Sequence, residues 1–284
     1  MTGQPAATGA SRPAAFFDLD KTLIARSSTL ALTSTLIAEG ILRRRTVLRS
    51  IYTQAAYQMG SADQTQSERM RAMLGRIISG WDASKVALLA QEKVADKVAP
   101  QVFAEAAGLI EEHRAAGRDI VIVSASSREL VEPIGALLGA DHTLASRMAV
   151  KDGRYTGEAE FFNYGPAKVE AIDELARREG YDLAASYAYS DSITDQPMLA
   201  AVGHAAVVNP SRALRRLAQE RGWEVIHFRA PEPVRSENRR LALAAAAAAL
   251  APGLLAALGV ALARRLARRA RASRQAANRS RQLV

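Results

Sequence analysis

The sequence predicts an α/β fold: a parallel sheet covered by helices on both faces, a helical segment inserted behind the first strand, and an apolar, basic C-terminal segment. Three observations carry this. Residues 14–19, AAFFDL, and 118–126, RDIVIVSAS, are nearly unbroken apolar runs of strand length, as expected of strands buried on both faces. Between them, from 28 to about 98, apolar residues recur at three- and four-residue spacing and no strand pattern intervenes. After 118, strand-like and helix-like stretches alternate, which sets the strands side by side and parallel.

Taken in order, residues 1–13 are Gly, Pro, Ala and polar residues with no apolar run, and read as a disordered leader rather than a signal peptide. The inserted segment reads as helices over STLALTSTLIAEGIL (28–42), TVLRSIYTQAAYQM (46–59) and ERMRAMLGRIISG (68–80). A helix over 101–116 stops at Gly117 and leads into the second strand. A helix from Glu129, a short third strand DHTLAS (141–146) and a hairpin over 148–159 turning at Asp152–Gly153 come next. A helix over 166–179 precedes the strand ASYAYSD (185–191). A helix at about 195–202, the strand HAAVVN (204–209), another helix and the strand WEVIHF (223–228) complete the alternation.

In sheets of this kind ligands sit beyond the carboxyl ends of the strands, where strand order reverses. Asp18 and Asp20 follow the first strand and Ser124 the second. Asp191 follows ASYAYS with Asp195 four residues on, and Lys168 opens the helix before it. Singly, each has a plainer account: Asp in a turn, Ser124, Asp191 or Asp195 capping a helix, Lys168 solvated. Their collection on one edge favours chemistry.

Composition narrows the chemistry. The chain has no cysteine, which excludes disulfides and thiol catalysis. Its four histidines, His113, His142, His204 and His227, lack ligand spacing, so a metal here would be a hard, oxygen-liganded ion rather than zinc. The net charge of +9 is concentrated at one end. Residues 235–284 hold 11 basic residues and one acid, Glu237, leaving 27 basic against 28 acidic residues in the body. That balance argues against nucleic-acid binding by the body.

Four motifs in order resemble the haloacid dehalogenase-like (HAD) superfamily of hydrolases over about residues 14–228: FFDLDKTL with Asp-x-Asp-x-Thr, IVIVSAS ending on Ser124, Lys168 in NYGPAKVEAI, and the paired acids of YAYSDSITDQPML. The long helical insert and the stretches around 123–157 and 189–223 are similar to the phosphoserine-phosphatase-like subfamily IB. The resemblance implies a Rossmann-like core over 14–24 and 100–230, a helical cap over 25–99 and a tail over 231–284. It also implies an Mg²⁺-dependent phosphomonoester hydrolase with an aspartyl-phosphate intermediate. In that scheme Asp18 is the nucleophile, and Asp20 gives a proton to the leaving oxygen and takes one from water. Lys168 neutralises Asp18 and the phosphoryl group, and Ser124 hydrogen-bonds a phosphoryl oxygen. Asp18, the Asp20 main-chain carbonyl and Asp191 hold the Mg²⁺, and Asp195 orients the others. Lys21 and Thr22 are left to turn geometry and packing.

One position departs from the pattern. Phosphoserine phosphatases carry a glutamate for the substrate's amino group where this chain has Ser27, so the resemblance implies a small phosphoserine-like or lipid-linked phosphate rather than L-phosphoserine itself. Arg26 and Arg43–Arg45 could meet anionic groups or lie on a solvated helix face.

Residues 241–263 are uncharged, with 12 Ala and 7 Leu, Pro252 inside, Arg239 and Arg240 before and an Arg-rich stretch after. The length suits a membrane span, a shallow insertion at anionic lipid or a helix docked on protein. A cytoplasmic enzyme held at the inner membrane face through 239–284, with a lipid-linked phosphate among its substrates, is the expectation. A non-catalytic phosphate sensor recruited through the tail is the competing class.

Overall fold

The structure, a computed structural model, describes residues 11–42 and 64–229. The expected helix over 46–59, Arg43–Arg45 and the apolar stretch 241–263 lie outside the described residues. Among the described residues no helix is long and apolar enough to cross a membrane.

Among the described residues, seven strands form one sheet in the order β4-β3-β2-β1-β5-β6-β7. They are β1 (Ala14–Phe17), β2 (Asp119–Ser127), β3 (His142–Lys151), β4 (Arg154–Phe161), β5 (Tyr187–Ser190), β6 (His204–Val208) and β7 (Glu224–Ile226). Every pairing is parallel except β3 with β4. β1 is central because its alternate side chains are buried on both sides. Ala15 and Phe17 join Ile120, Ile122 and the helices α4 (Ala104–Ala115) and α5 (Arg128–Leu138). Ala14 and Phe16 join Val121, Val123 and the helices α6 (Pro166–Glu179), α7 (Gln196–Ala200) and α8 (Arg212–Arg221). Burying both faces accounts for the apolar run that the sequence shows there.

The chain runs outward from β1 through β2 to β3, then returns to place β5 on the other side of β1. This reversal opens a crevice at the carboxyl end of β1.

Between β1 and α4 the described chain is helical: α1 (Ser28–Ala38), α2 (Gln64–Ile78) and α3 (Ala83–Val98), followed by a short 3₁₀ turn. The third strand is longer than the sequence pattern suggests. It does not stop at Ser146; it shifts register and continues as the first arm of the hairpin with β4. Asp152 and Gly153 turn the hairpin with φ of 51° and 73°, the left-handed pair of a type I′ turn. The hairpin reaches the insertion, where Tyr155, Ala159 and Phe162 bury against Val86 of α3. Helix α2 lies against β4 through two glycines. A Cβ on Gly75 would stand 1.9 Å from the Gly157 carbonyl oxygen, so only glycine allows that approach.

Candidate active site

Asp18 is the first residue beyond β1, fixed by its own N–H, which donates to the Tyr189 carbonyl of β5 at 2.9 Å. The residue is 7% exposed. One oxygen, Oδ1, accepts from Lys168 Nζ at 2.7 Å, and Oδ2 accepts from the Thr22 hydroxyl at 3.1 Å. The next residues double back: Lys21 takes a left-handed φ of 67° and its N–H donates to the Ile24 carbonyl at 2.7 Å, which brings Thr22 under Asp18.

Lys168 stands in the first turn of α6, which begins at Pro166. A cation there opposes the helix dipole, so the helix gives no reason for it. The reason is its two partners: Lys168, 2% exposed, also donates to Asp195 Oδ2 at 2.8 Å. Asp195 is itself buried and accepts from the Ser190 hydroxyl, at the end of β5, at 2.7 Å. Asp191 completes the group from the other side. Its N–H donates to Thr22 Oγ1 at 3.0 Å, and its Oδ1 lies 3.5 Å from the same hydroxyl.

Two carboxylates therefore share the Lys168 ammonium, and a third, Asp191, joins them through the Thr22 hydroxyl. Burial pushes the Asp18 carboxyl up to about 8; Lys168 pulls it down, and Asp195 and Asp191 add to the rise. Burial also raises Asp191, to about 6, with the Lys21 cation opposing. For Lys168 burial disfavours the charge, but Asp18 and Asp195 more than offset it and hold the ammonium above its ordinary range. A further positive charge beside Asp18 and Asp191 would favour the ionised form of both. Their hard oxygens, brought together by Thr22, fit a small divalent ion. Among the described residues, no group of three or more His, Asp or Glu side chains could hold a metal by itself.

Asp20 takes a different direction. Its Oδ1 accepts from the Ser28 N–H at 2.7 Å and its Oδ2 from the Ser27 hydroxyl at 3.3 Å, so the carboxylate sits at the N-terminus of α1. Ser27 serves this contact. Ser124 is 2% exposed and its Oγ accepts from the Ser126 N–H at 3.1 Å, a turn in the loop that bulges from the end of β2 between Val123 and Ser127. It does not cap α5, whose N-cap is Ser127. The Ser126 and Ser28 hydroxyls meet at 3.0 Å, tying this loop to the start of α1.

Three residues were not singled out by sequence: Thr22 and Ser190 of the cluster, and Asn163, whose side-chain amide donates to the Ser124 carbonyl at 3.2 Å. Thr22 carried a signal, the final position of Asp-x-Asp-x-Thr. Ser190 and Asn163 carried none, because their partners are 5 and 39 residues away and visible only in the fold.

The family model described as haloacid dehalogenase-like hydrolase matches residues 15–200. An "inhibition of morphological differentiation protein" of Streptomyces azureus is 54% identical over 80% of this chain and 82% of its own length. A "probable phosphatase" of Mycobacterium tuberculosis is 52% identical over 86% of this chain and 85% of its own. A solved protein of unknown function from Bordetella pertussis shares 31% identity at a TM-score of 0.65, covering 76% of this chain and 99% of that one. The chain belongs to the haloacid dehalogenase-like hydrolases and stands among their phosphatases.

Proposed function

We propose that the chain hydrolyses a small phosphomonoester through a phosphorylated Asp18. The observation that carries this is the buried Lys168 ammonium held between Asp18 and Asp195 at the carboxyl end of β1. It supports a carboxylate kept in one orientation, with an adjacent cation ready for phosphoryl oxygens.

In this reading Asp18 Oδ2, the oxygen not paired with Lys168, attacks phosphorus in line while the ester oxygen departs. Asp20 protonates the departing oxygen after turning from the Ser28 N–H, and then takes a proton from the water that hydrolyses the aspartyl-phosphate. Lys168 and the Ser124 hydroxyl bind equatorial phosphoryl oxygens, and Asp195 holds Lys168 in place. Mg²⁺ would be held by Asp18, Asp191 and the Asp20 main-chain carbonyl, and when bound it supplies charge neutralisation for the phosphate dianion. The helices between β1 and α4, closed on the hairpin, serve as the cap over the site. Ser27, occupied with Asp20, offers no carboxylate to an α-amino group, which favours substrates other than phosphoserine. A lipid-linked phosphate at the inner membrane face is a reading that rests on 239–284 alone.

The test is phosphate release by the full chain from a broad phosphomonoester panel, with and without Mg²⁺, beside Asp18→Asn. Magnesium-dependent turnover lost in Asp18→Asn is expected. A folded wild-type chain that binds phosphate but hydrolyses no ester would favour the sensor instead.

A further inference from the structure

The loop that carries Ser124 is built on an irregularity in the sheet. Val123 of β2 pairs with Leu144 of β3, and the next matched pair is Ser127 with Ser146. The residues Ser124, Ala125 and Ser126 therefore stand opposite Ala145 alone, and carbonyls along both strands lose their ladder partners. Two side chains take over. Asn163 Nδ2 donates to the Leu144 carbonyl at 2.7 Å and to the Ser124 carbonyl at 3.2 Å. The Ser146 hydroxyl donates to the Ala125 carbonyl at 2.7 Å and accepts the Asn163 N–H at 3.0 Å.

Both side chains are shut away from water, Asn163 at 0% and Ser146 at 1% exposure. Both partners of the Asn163 side chain are carbonyl oxygens, so only its NH₂ can face them, and Oδ1 is left buried without a partner. A buried amide in that state costs stability. Its use lies in the geometry it imposes. The peptides are trans, so a carbonyl fixed on the β3 side directs the N–H that follows it to the opposite side. Fixing the Ser124 carbonyl thus turns the Ala125 N–H toward the β1 side, where Asp18 lies. Fixing the Ala125 carbonyl aims the Ser126 N–H at Ser124 Oγ, which orients that hydroxyl.

We infer that Asn163, with Ser146, is a positioning pair that sets the Ser124–Ser126 loop for phosphate, an inference that rests on the phosphatase reading above. Asn163 touches no reacting atom; it acts through the loop.

The experiment uses the full chain with p-nitrophenyl phosphate as substrate and inorganic phosphate as inhibitor, in Asn163→Leu, Ser146→Ala and Ser146→Thr. Asn163→Leu is expected to raise KM and the phosphate inhibition constant together by about tenfold, with the Mg²⁺ requirement unchanged. Ser146→Ala should move both in the same direction by less, and Ser146→Thr, which keeps the hydroxyl, should restore them. A lowered Tm with KM and phosphate inhibition unchanged would show a structural role only and overturn the inference. Should Asn163→Leu fail to fold, the Ser146→Ala and Ser146→Thr pair decides by the same readouts. If the wild-type chain turns over no ester, the hydrolase reading fails by itself, and the ratio of phosphate affinities by calorimetry still decides: a tenfold loss supports the positioning pair and equal affinities overturn it.

Discussion

Two buried polar clusters meet at β5, and they differ in how their charges are balanced. At the carboxyl end of the sheet, Asp18 and Asp195 hold the ammonium of Lys168 between them, and Asp191 joins Asp18 through Thr22. Toward the opposite end, His113 of α4 lies between two tyrosines of the same strand. Its Nδ1 accepts from Arg118 Nε at 2.6 Å, which leaves Nε2 to carry the proton, 2.8 Å from the Tyr189 hydroxyl. Arg118 stands over the Tyr187 ring at 4.7 Å, and Tyr189 stacks on Phe17 at 4.7 Å. Tyr189 belongs to both: its carbonyl fixes Asp18 and its phenol meets His113. The second cluster holds a neutral ring whose two nitrogens are both paired. The first crowds acids together, so that their carboxyls are raised and a further cation would be held there. Imbalance at a sheet's carboxyl edge marks a binding site, and a satisfied network behind it marks structure.

The largest effect should separate the two at once. Asp18→Asn is expected to lower turnover by at least about 10⁴-fold, while urea unfolding shows stability equal to wild type or higher because a crowded acid has been removed. Next, Lys168→Met leaves two acids facing each other without their cation. It should cost roughly 3–5 kcal/mol by urea unfolding at pH 7, and adding Asp195→Asn should recover part of it.

How much of this contrast could be read in the chain depends on range. The α/β alternation was legible because both-face burial leaves continuous apolar runs, as in Ala14–Phe17 and Ile120–Val123. Asp18, Lys168, Asp191 and Asp195 were legible as motif positions, and the fold brings them within one hydrogen-bonded group. The direction of the Asp20 carboxylate was not, since it depends on where α1 begins. The length of β3 was hidden for a similar reason: the strand pairs with β2 up to Ser146 and with β4 from Arg147, and the register shifts on both sides of Met148. Asn163 was invisible because its partners exist only once β2 and β3 fail to match.

The balanced cluster predicts a pH effect of its own. Burial, assisted by Arg118, lowers the His113 pKa from 6.5 to about 4. The unfolded chain then binds the extra proton first. The stabilisation is complete above about pH 6.5 and is lost as pH falls toward 4, by up to about 3 kcal/mol. Urea unfolding at pH 7 and pH 4.5 should show a steeper loss in wild type than in His113→Gln, which cannot titrate. Equal slopes would remove His113 from the account. The smallest effect is expected from Tyr187→Leu, which removes the ring beneath Arg118: about 0.5–1 kcal/mol of stability, with turnover unchanged. A large loss of turnover there would mean that the two clusters are not separate in function.

The central claim is that the phosphoryl group passes through Asp18. Full chain mixed with p-nitrophenyl phosphate and Mg²⁺, quenched with borohydride and digested, would be read by mass spectrometry for reductive conversion of an acyl phosphate to homoserine. The account predicts homoserine in place of Asp18 alone, and none in Asp18→Asn. Turnover without that product, or with the mark at another acid such as Asp20, would contradict it.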